Sequence, residues 1–133
     1  MRVLIRSLLL LGLLVCVGCG HKKSTEELLA DLKSSHEGDR VAAVRLLPGK
    51  GDPATVVPAL MNALRDKHSD IRWSAAIGLG SFADQAAEAI PALQIAQADR
   101  DARVREAAKV ALHRIDPAKF PDPTKQPLER KKG

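Results

Sequence analysis

The sequence predicts an all-α protein, a short α-solenoid of about three stacked helix pairs (an α–α superhelix). Three observations lead to this prediction: a sequence pattern that recurs at a fixed spacing, apolar stripes with helical periodicity, and a shortage of aromatic side chains. The 133 residues include two Phe, one Trp and no Tyr. A core built from Ala, Leu, Ile and Val suits closely packed helices better than a β-sandwich.

Two segments carry the repeat. Val-Pro-Ala-Leu at 57–60 returns as Ile-Pro-Ala-Leu at 90–93, and the segment 71–79 returns with the same spacing at 104–112. An equal step back from Ala75 finds Ala42, although the helix before it fits only with a one-residue deletion. We therefore expect one repeat domain over 24–116, with units at 24–52, 53–85 and 86–116.

Each unit is predicted to form two helices, because its apolar residues fall on one face at helical spacing. In the second unit these faces are Val57, Leu60, Met61 and Leu64, then Ile71, Ala75, Leu79 and Phe82. Ser24 and Glu27 have the spacing of a capping box, which starts the first helix. Pro58 and Pro91 are expected in the first turns of their helices, where a missing N–H does no harm.

The segment from Asp66 to Gly80, with Ile71-Arg72 followed by Ala75-Ala76 and Leu79, resembles the second helix of a HEAT repeat. The third unit repeats this pattern, so the resemblance covers roughly 24–116. It implies antiparallel helix pairs stacked into a curved solenoid, with the second helices lining the concave face. It also implies structural polar contacts between helices, made by Asp66, Arg72, Asp99 and Arg105. The first unit has Asp39 where the repeated Arg is expected.

The second helices also predict a candidate binding surface. Trp73 lies two positions after Ile71, about 200° around the helix, and so points away from the apolar stripe. The spacing of the repeat makes Arg40 and Glu106 its equivalents. We therefore expect Arg40, Trp73 and Glu106 to form a solvent-facing row that binds a partner, since exposed tryptophan often anchors interfaces. The alternative, in which Trp73 packs on the neighbouring repeat or under the tail, stays open.

The N-terminus has the pattern of a targeting segment. Arg2 and Arg6 precede an uncharged run over 7–20, which is too short to span a bilayer but suits the core of a signal peptide. No enzyme or metal chemistry is expected of a cysteine in such a segment.

The end of that run, Gly18-Cys19, resembles the lipobox of bacterial lipoproteins, although Cys16 stands where the family usually has Leu. The resemblance implies a signal peptide over 1–18, diacylglycerol on Cys19, and a short tether over 19–23. Gly20, in place of the Asp that retains some lipoproteins in the inner membrane, favours the outer membrane. An ordinary signal peptide and an uncleaved anchor are the alternatives.

The net charge of +5 does not come from the repeats. Arg2, Arg6 and the segment 117–133, which has five basic and two acidic residues, account for all of it. A neutral body with few aromatics does not suit a nucleic-acid platform. The Pro-rich basic segment 117–133 is expected to be an extended, mostly disordered tail.

The sequence offers no convincing catalytic or metal constellation. The four histidines do not share helical spacing, and the one His-Glu pair, His36-Glu37, has no equivalent in the later units. We therefore expect no enzyme activity, no cofactor and no metal. The predicted function is a membrane-tethered scaffold in the cell envelope that binds an unidentified protein. The alternatives are a HEAT-repeat enzyme or cofactor-handling protein, dependent on a metal or chromophore, and a purely structural subunit of an envelope assembly.

Overall fold

The computed structural model describes residues 22–125, and this part of the chain is helical without a strand. Its helices are α1 (Thr25–Asp31), α2 (Glu37–Leu46), α3 (Pro53–Ala63), α4 (Ser69–Ser81), α5 (Ile90–Ala96) and α6 (Ala102–Ile115). Short 3-10 segments cover Leu47–Gly49, Ala83–Ala89 and Pro123–Lys125. The predicted all-α fold is confirmed. The predicted signal peptide and the lipidation site Cys19 lie outside the described residues.

The first helix begins at the predicted capping box. The Ser24 hydroxyl accepts a hydrogen bond from the Glu27 backbone N–H at 3.2 Å, and the Glu27 carboxylate accepts one from the Ser24 N–H at 2.7 Å. Two backbone donors that a helix start leaves unpaired are thereby satisfied. This local prediction is confirmed.

The position predicted for Pro58 is wrong. Helix α3 begins at Pro53, so Pro58 lies inside the helix rather than in its first turn. Pro91, in contrast, lies in the first turn of α5 as predicted. The units differ because the helical path before Pro91 is interrupted at Ala86, which has non-helical φ −103° and ψ 22°. Pro58 is exposed, so water can reach the carbonyl that its ring leaves unpaired.

One apolar core runs through the stack of helices. Its largest members are aliphatic, and each of the helices contributes at least one side chain with no exposed surface. Alanines fill the spaces where helices meet, since Ala43, Ala75, Ala76 and Ala108 have no exposed surface. Phe82 is the only aromatic side chain of the described part that is counted among the buried core. The predicted core of small and aliphatic residues is therefore what the chain builds.

The second helices of the pairs pack directly on one another, α2 on α4 and α4 on α6. The first helices are more widely separated, and a cleft of about 540 Å³ opens between α1 and α3. Helices on the inside of a curved stack approach each other more closely than those on the outside. The second helices therefore line the inner side of the curve.

Helices α4 and α6 approach each other closely at Gly80 and Ala111. A Cβ added to Gly80 would lie 2.9 Å from the Ala111 Cα and 3.1 Å from its Cβ. Real side chains do not approach that closely without displacing their neighbour. Glycine at this position therefore sets the spacing of the two helices that form the site described below.

The end of the described chain corrects the prediction of an extended tail over 117–133. Residues 117–125 turn back along α6, where Phe120 is half-buried against the core. The Phe120 carbonyl lies 2.9 Å from Nδ1 of His113. The backbone N–H of Phe120 donates to the Asp116 carbonyl at 3.0 Å. The charged and Pro-rich composition concealed one aromatic side chain with a place to pack. The remainder of the predicted tail lies outside the described residues.

Candidate protein-binding surface

Arg72 connects the second and third units through a buried ion pair. It is the fourth residue of α4, and its Nε and Nη2 donate to the two carboxylate oxygens of Asp99 at 2.8 and 2.9 Å. Its Nη1 donates to the Asp66 carbonyl at 2.9 Å in the turn that precedes α4. The hydrogen bonds from Arg72, more than the opposing effect of burial, lower the pKa of Asp99 below its ordinary value. One side chain thus closes its own turn and holds the next unit in register.

Arg40 makes the same contacts one unit earlier, so the prediction that it faces solvent is wrong. Only 6% of the residue is exposed, and its Nε and Nη2 donate to the Asp66 carboxylate at 2.8 and 3.3 Å. Burial alone would raise the pKa of Asp66, but hydrogen bonds from Arg40 and from the His68 N–H hold it below its ordinary value. Asp39, which stood at the expected Arg position, instead accepts a hydrogen bond from the Ser34 hydroxyl at 2.8 Å.

The physical reason is the spacing of the first unit. The step from Arg40 to Arg72 is one residue shorter than the step from Arg72 to Arg105. The missing residue falls in the connection between α2 and α3, and not before the second helix of the first unit, where the sequence comparison placed it. A shift of one residue rotates a side chain by about 100° around a helix. A shift of this size accounts for the difference between the surface position predicted for Arg40 and its observed interior position.

With the spacing corrected, the positions equivalent to Trp73 are Val41 and Glu106. Trp73 is half-buried at the edge of the core, and Val41 is half-buried as well. Glu106 is exposed, and its carboxylate lies 2.7 Å from Nζ of Lys109. The structure therefore keeps Trp73 and Glu106 on one surface and removes Arg40 from it.

Trp73 lines an apolar groove of about 580 Å³ between α4 and α6. Ile77, one turn after Trp73, lies beside it with 43% of its surface exposed. Ala107 and Val110 form the opposite wall from α6, and the close contact at Gly80 forms part of the floor. Trp73 and Ile77 are thus both partly exposed over an apolar groove. A second apolar surface that packed on the groove would bury both of them.

The family of HEAT repeats matches the chain over residues 25–113. The chain belongs to the HEAT-repeat family. HEAT repeats generally serve as scaffolds for protein–protein interaction. Comparison with curated proteins found no match to this sequence.

The rim of the groove in this HEAT-repeat protein is charged. Arg103 donates to the Asp70 carboxylate at 2.8 Å and to the Asp101 carboxylate at 3.2 Å, which links the starts of α4 and α6. The hydrogen bonds from Arg103 lower the pKa of Asp101 to about 2. Arg114, at the opposite end of α6, is exposed and has no ion pair within residues 22–125. An apolar centre with a charged rim is the usual arrangement of a protein interface.

Two residues of this groove were not singled out from the sequence. Ile77 and Val110 occupy the same position in successive repeats, one turn after Trp73 and Glu106. The signal was available, since an apolar residue spaced four positions from an exposed tryptophan shares its face. Ile77 lies on the face of Trp73 and not in the buried stripe of α4. The apolar pattern alone does not separate these two faces, because both faces of α4 are partly apolar.

The His36-Glu37 pair does not build a site with its neighbours. The Glu37 carboxylate instead lies 3.1 Å from Nδ1 of His68, in a half-exposed contact between the starts of α2 and α4. Within residues 22–125 no three His, Cys, Asp or Glu side chains come together in a way that could hold a metal ion. In the same part of the chain, no helix combines the length and the apolar character needed to cross a bilayer.

Proposed function

We propose that this HEAT-repeat protein is a lipid-anchored scaffold of the bacterial cell envelope, and that it binds a partner protein in the groove between α4 and α6. The single observation that carries the proposal is the pair Trp73 and Ile77, partly exposed side by side over an apolar groove. Covering them would remove apolar surface from water without requiring the solenoid to rearrange.

The shape of the groove indicates the kind of segment that binds. It follows α4 and α6, which are 13 and 14 residues long, so it can accommodate a few turns of a partner helix. The apolar face of an amphipathic helix would contact Ile77 and Val110, and acidic residues at one end would approach Arg114. This is the arrangement by which helices commonly bind in grooves.

The proposed location rests on the N-terminal sequence. The lipobox-like Gly18-Cys19 would place lipid on Cys19, and the segment 19–23 would connect that lipid to α1. The anchor would keep the groove at the membrane surface, and Gly20 favours the outer membrane. The proposed role is that of a binding protein and not of an enzyme.

The partner can be isolated by purifying the tagged full-length protein from solubilised membranes, and its affinity then measured for matched variants. Ile77→Asp places a charge in the groove and is expected to weaken binding by about 2 kcal/mol or more, as loss of an interface anchor does. Leu46→Asp is the control, because Leu46 is 46% exposed but lies outside the groove. Equal affinities for wild type and Ile77→Asp would show that the groove is not the binding surface.

A further inference from the structure

Three arginines form a ladder along the solenoid, one in each second helix. Within residues 22–125 the first two are paired with a carboxylate and the third is not. Arg40, Arg72 and Arg105 are each the fourth residue of a second helix, and each donates from Nη1 to two backbone carbonyls of the preceding turn. For Arg105 the two acceptors are the carbonyls of Asp99 and Arg100, at 2.8 and 3.1 Å. All three guanidinium groups are therefore held in the same orientation.

The difference lies in the other edge of the guanidinium. In Arg40 and Arg72, Nε and Nη2 donate to the carboxylate of the following unit. No carboxylate within residues 22–125 makes an ion pair with Arg105, and the residue is half-buried rather than buried. Arg105 thus presents two parallel N–H donors, already oriented, at the C-terminal end of the stack.

The N-terminal end of the ladder has a serine where the later units have an aspartate. Ser34 occupies the position of Asp66 and Asp99, since the step from Ser34 to Asp66 equals the shortened step from Arg40 to Arg72. Its hydroxyl accepts from the His36 N–H at 3.1 Å, as the two aspartates accept from the backbone two residues later. No arginine unit precedes the first repeat among the described residues, and a neutral side chain replaces the carboxylate there. At the C-terminal end, in contrast, the ladder ends in a charged side chain, that of Arg105.

Apart from Phe120, which packs beside His113, the C-terminal end of the solenoid is more polar than the contacts between units. Positions that are apolar in the second unit are polar in the third: Gln94 stands in place of Met61, Gln97 in place of Leu64, and Lys109 in place of Ala76. A polar outer face is typical of a terminal repeat. It does not suit a further repeat stacked through apolar contacts, nor a second copy of this chain, whose first unit would offer Ser34 instead of a carboxylate.

We propose that the C-terminal end of the solenoid is a second interaction surface, at which Arg105 binds an Asp or Glu side chain of a partner protein through Nε and Nη2. The geometry would be the two-pronged one that Asp99 makes with Arg72. Lys109, one turn further along α6, already pairs with Glu106, so Arg105 supplies the charge, and an acidic and otherwise polar segment is the partner that fits. This surface is separate from the groove between α4 and α6, and its test does not depend on that groove.

The test uses a photoreactive amino acid at Gln97 in the full-length protein, in its own cells, with the cross-linked peptides identified by mass spectrometry. The expected adduct is a peptide of another protein, cross-linked at or beside an Asp or Glu. It should fall at least about tenfold in Arg105→Gln, since loss of one partner of a charged hydrogen-bonded pair typically weakens binding that much or more. Arg45→Gln, at an exposed arginine without an ion pair in residues 22–125, should leave the adduct unchanged.

Arg105→Lys separates binding from folding, because lysine keeps the charge but lacks the two parallel donors. If the melting temperature of Arg105→Gln shows that it is unfolded, the same loss of the adduct is expected in a folded Arg105→Lys. Three results would overturn the proposal: no protein adduct that depends on Arg105, an adduct with the first unit of a second copy, or an adduct within 126–133 that disappears in Glu129→Gln. The last would show that the chain's own terminus occupies the position.

Discussion

Gly80 and Ala111 lie in direct contact where α4 crosses α6, and a Cβ on Gly80 would come within 2.9 Å of the Ala111 backbone. The contact holds together the two helices that form the groove. It also makes the spacing of the solenoid at this point sensitive to a single methyl group.

Gly80→Ala is therefore expected to destabilise the repeat domain by about 1–3 kcal/mol, the usual effect of overpacking a core. Urea unfolding of residues 22–133 would measure it. Gly38→Ala is the matched control, because a Cβ there meets nothing within 4 Å and the residue is exposed in α2. That control should be neutral or stabilising by up to about 1 kcal/mol, since alanine favours helix more than glycine. Equal stability of the two variants would mean that α4 and α6 are not in contact at Gly80.

The Arg72–Asp99 pair makes stability depend on acid pH. Folding lowers the pKa of Asp99 from its ordinary value of 3.8, so the folded state favours the ionised carboxylate. The resulting stabilisation is present in full above the unfolded pKa and is lost as the pH falls below it, through the lowered folded value. Unfolding of wild type should therefore become easier below about pH 4.

Asp99→Asn should remove the contribution of Asp99 to that dependence, while Asp66 and Asp101 keep theirs. It should also destabilise the domain at pH 7 by about 3 kcal/mol or more, because Arg72 would remain buried without its partner. The difference from wild type should narrow as the pH approaches 2.5. Asp84→Asn, at an exposed carboxylate without an ion pair in the described part, serves as the control. A constant difference between wild type and Asp99→Asn from pH 7 to 2.5 would contradict this account.

Trp73 should behave as a half-buried residue in fluorescence. Its emission is expected to be blue-shifted from that of free indole and yet still quenched by acrylamide, with the quenching reduced when the partner binds. Trp73→Ala should lower stability by about 1–2 kcal/mol, roughly half the effect of removing a fully buried large side chain. Emission fully protected from acrylamide in the free protein would place Trp73 in the core and leave the groove without its anchor.

The proposed lipid anchor on Cys19 can be tested with labelled palmitate. The label should be incorporated into wild type and into Cys16→Ala, and not into Cys19→Ala. Cys19→Ala should also leave the membrane fraction, since the repeat domain would then have lost its anchor. The reverse pattern, with label lost only in Cys16→Ala, would identify the other cysteine as the acceptor. Unchanged labelling in both variants would remove Cys19 as the single acceptor, and absence of label from wild type would remove the lipid anchor from the proposed function.

Local signals in the sequence predicted local structure well. The capping box of Ser24 and Glu27 forms as its spacing requires, because a capping box depends on four consecutive residues alone. Pro58 was misplaced because the start of α3 depends on how the chain enters the helix from Asp52, which the repeat pattern does not specify. Phe120 was assigned to a tail because its neighbours are charged, while its contact with the core is set by a turn at Asp116.

By itself, the sequence determined that the chain forms helix pairs with an aliphatic, alanine-rich core, since the recurring pattern and the helical stripes are properties of the chain. Only the tertiary structure decided which side of α2 faces its neighbour. Arg40 and Val41 are adjacent in sequence, yet one is buried against Asp66 and the other shares the register of Trp73. The physical reason is that one residue turns a helix by about 100°, so a shortened connection between α2 and α3 reverses the roles of neighbouring side chains.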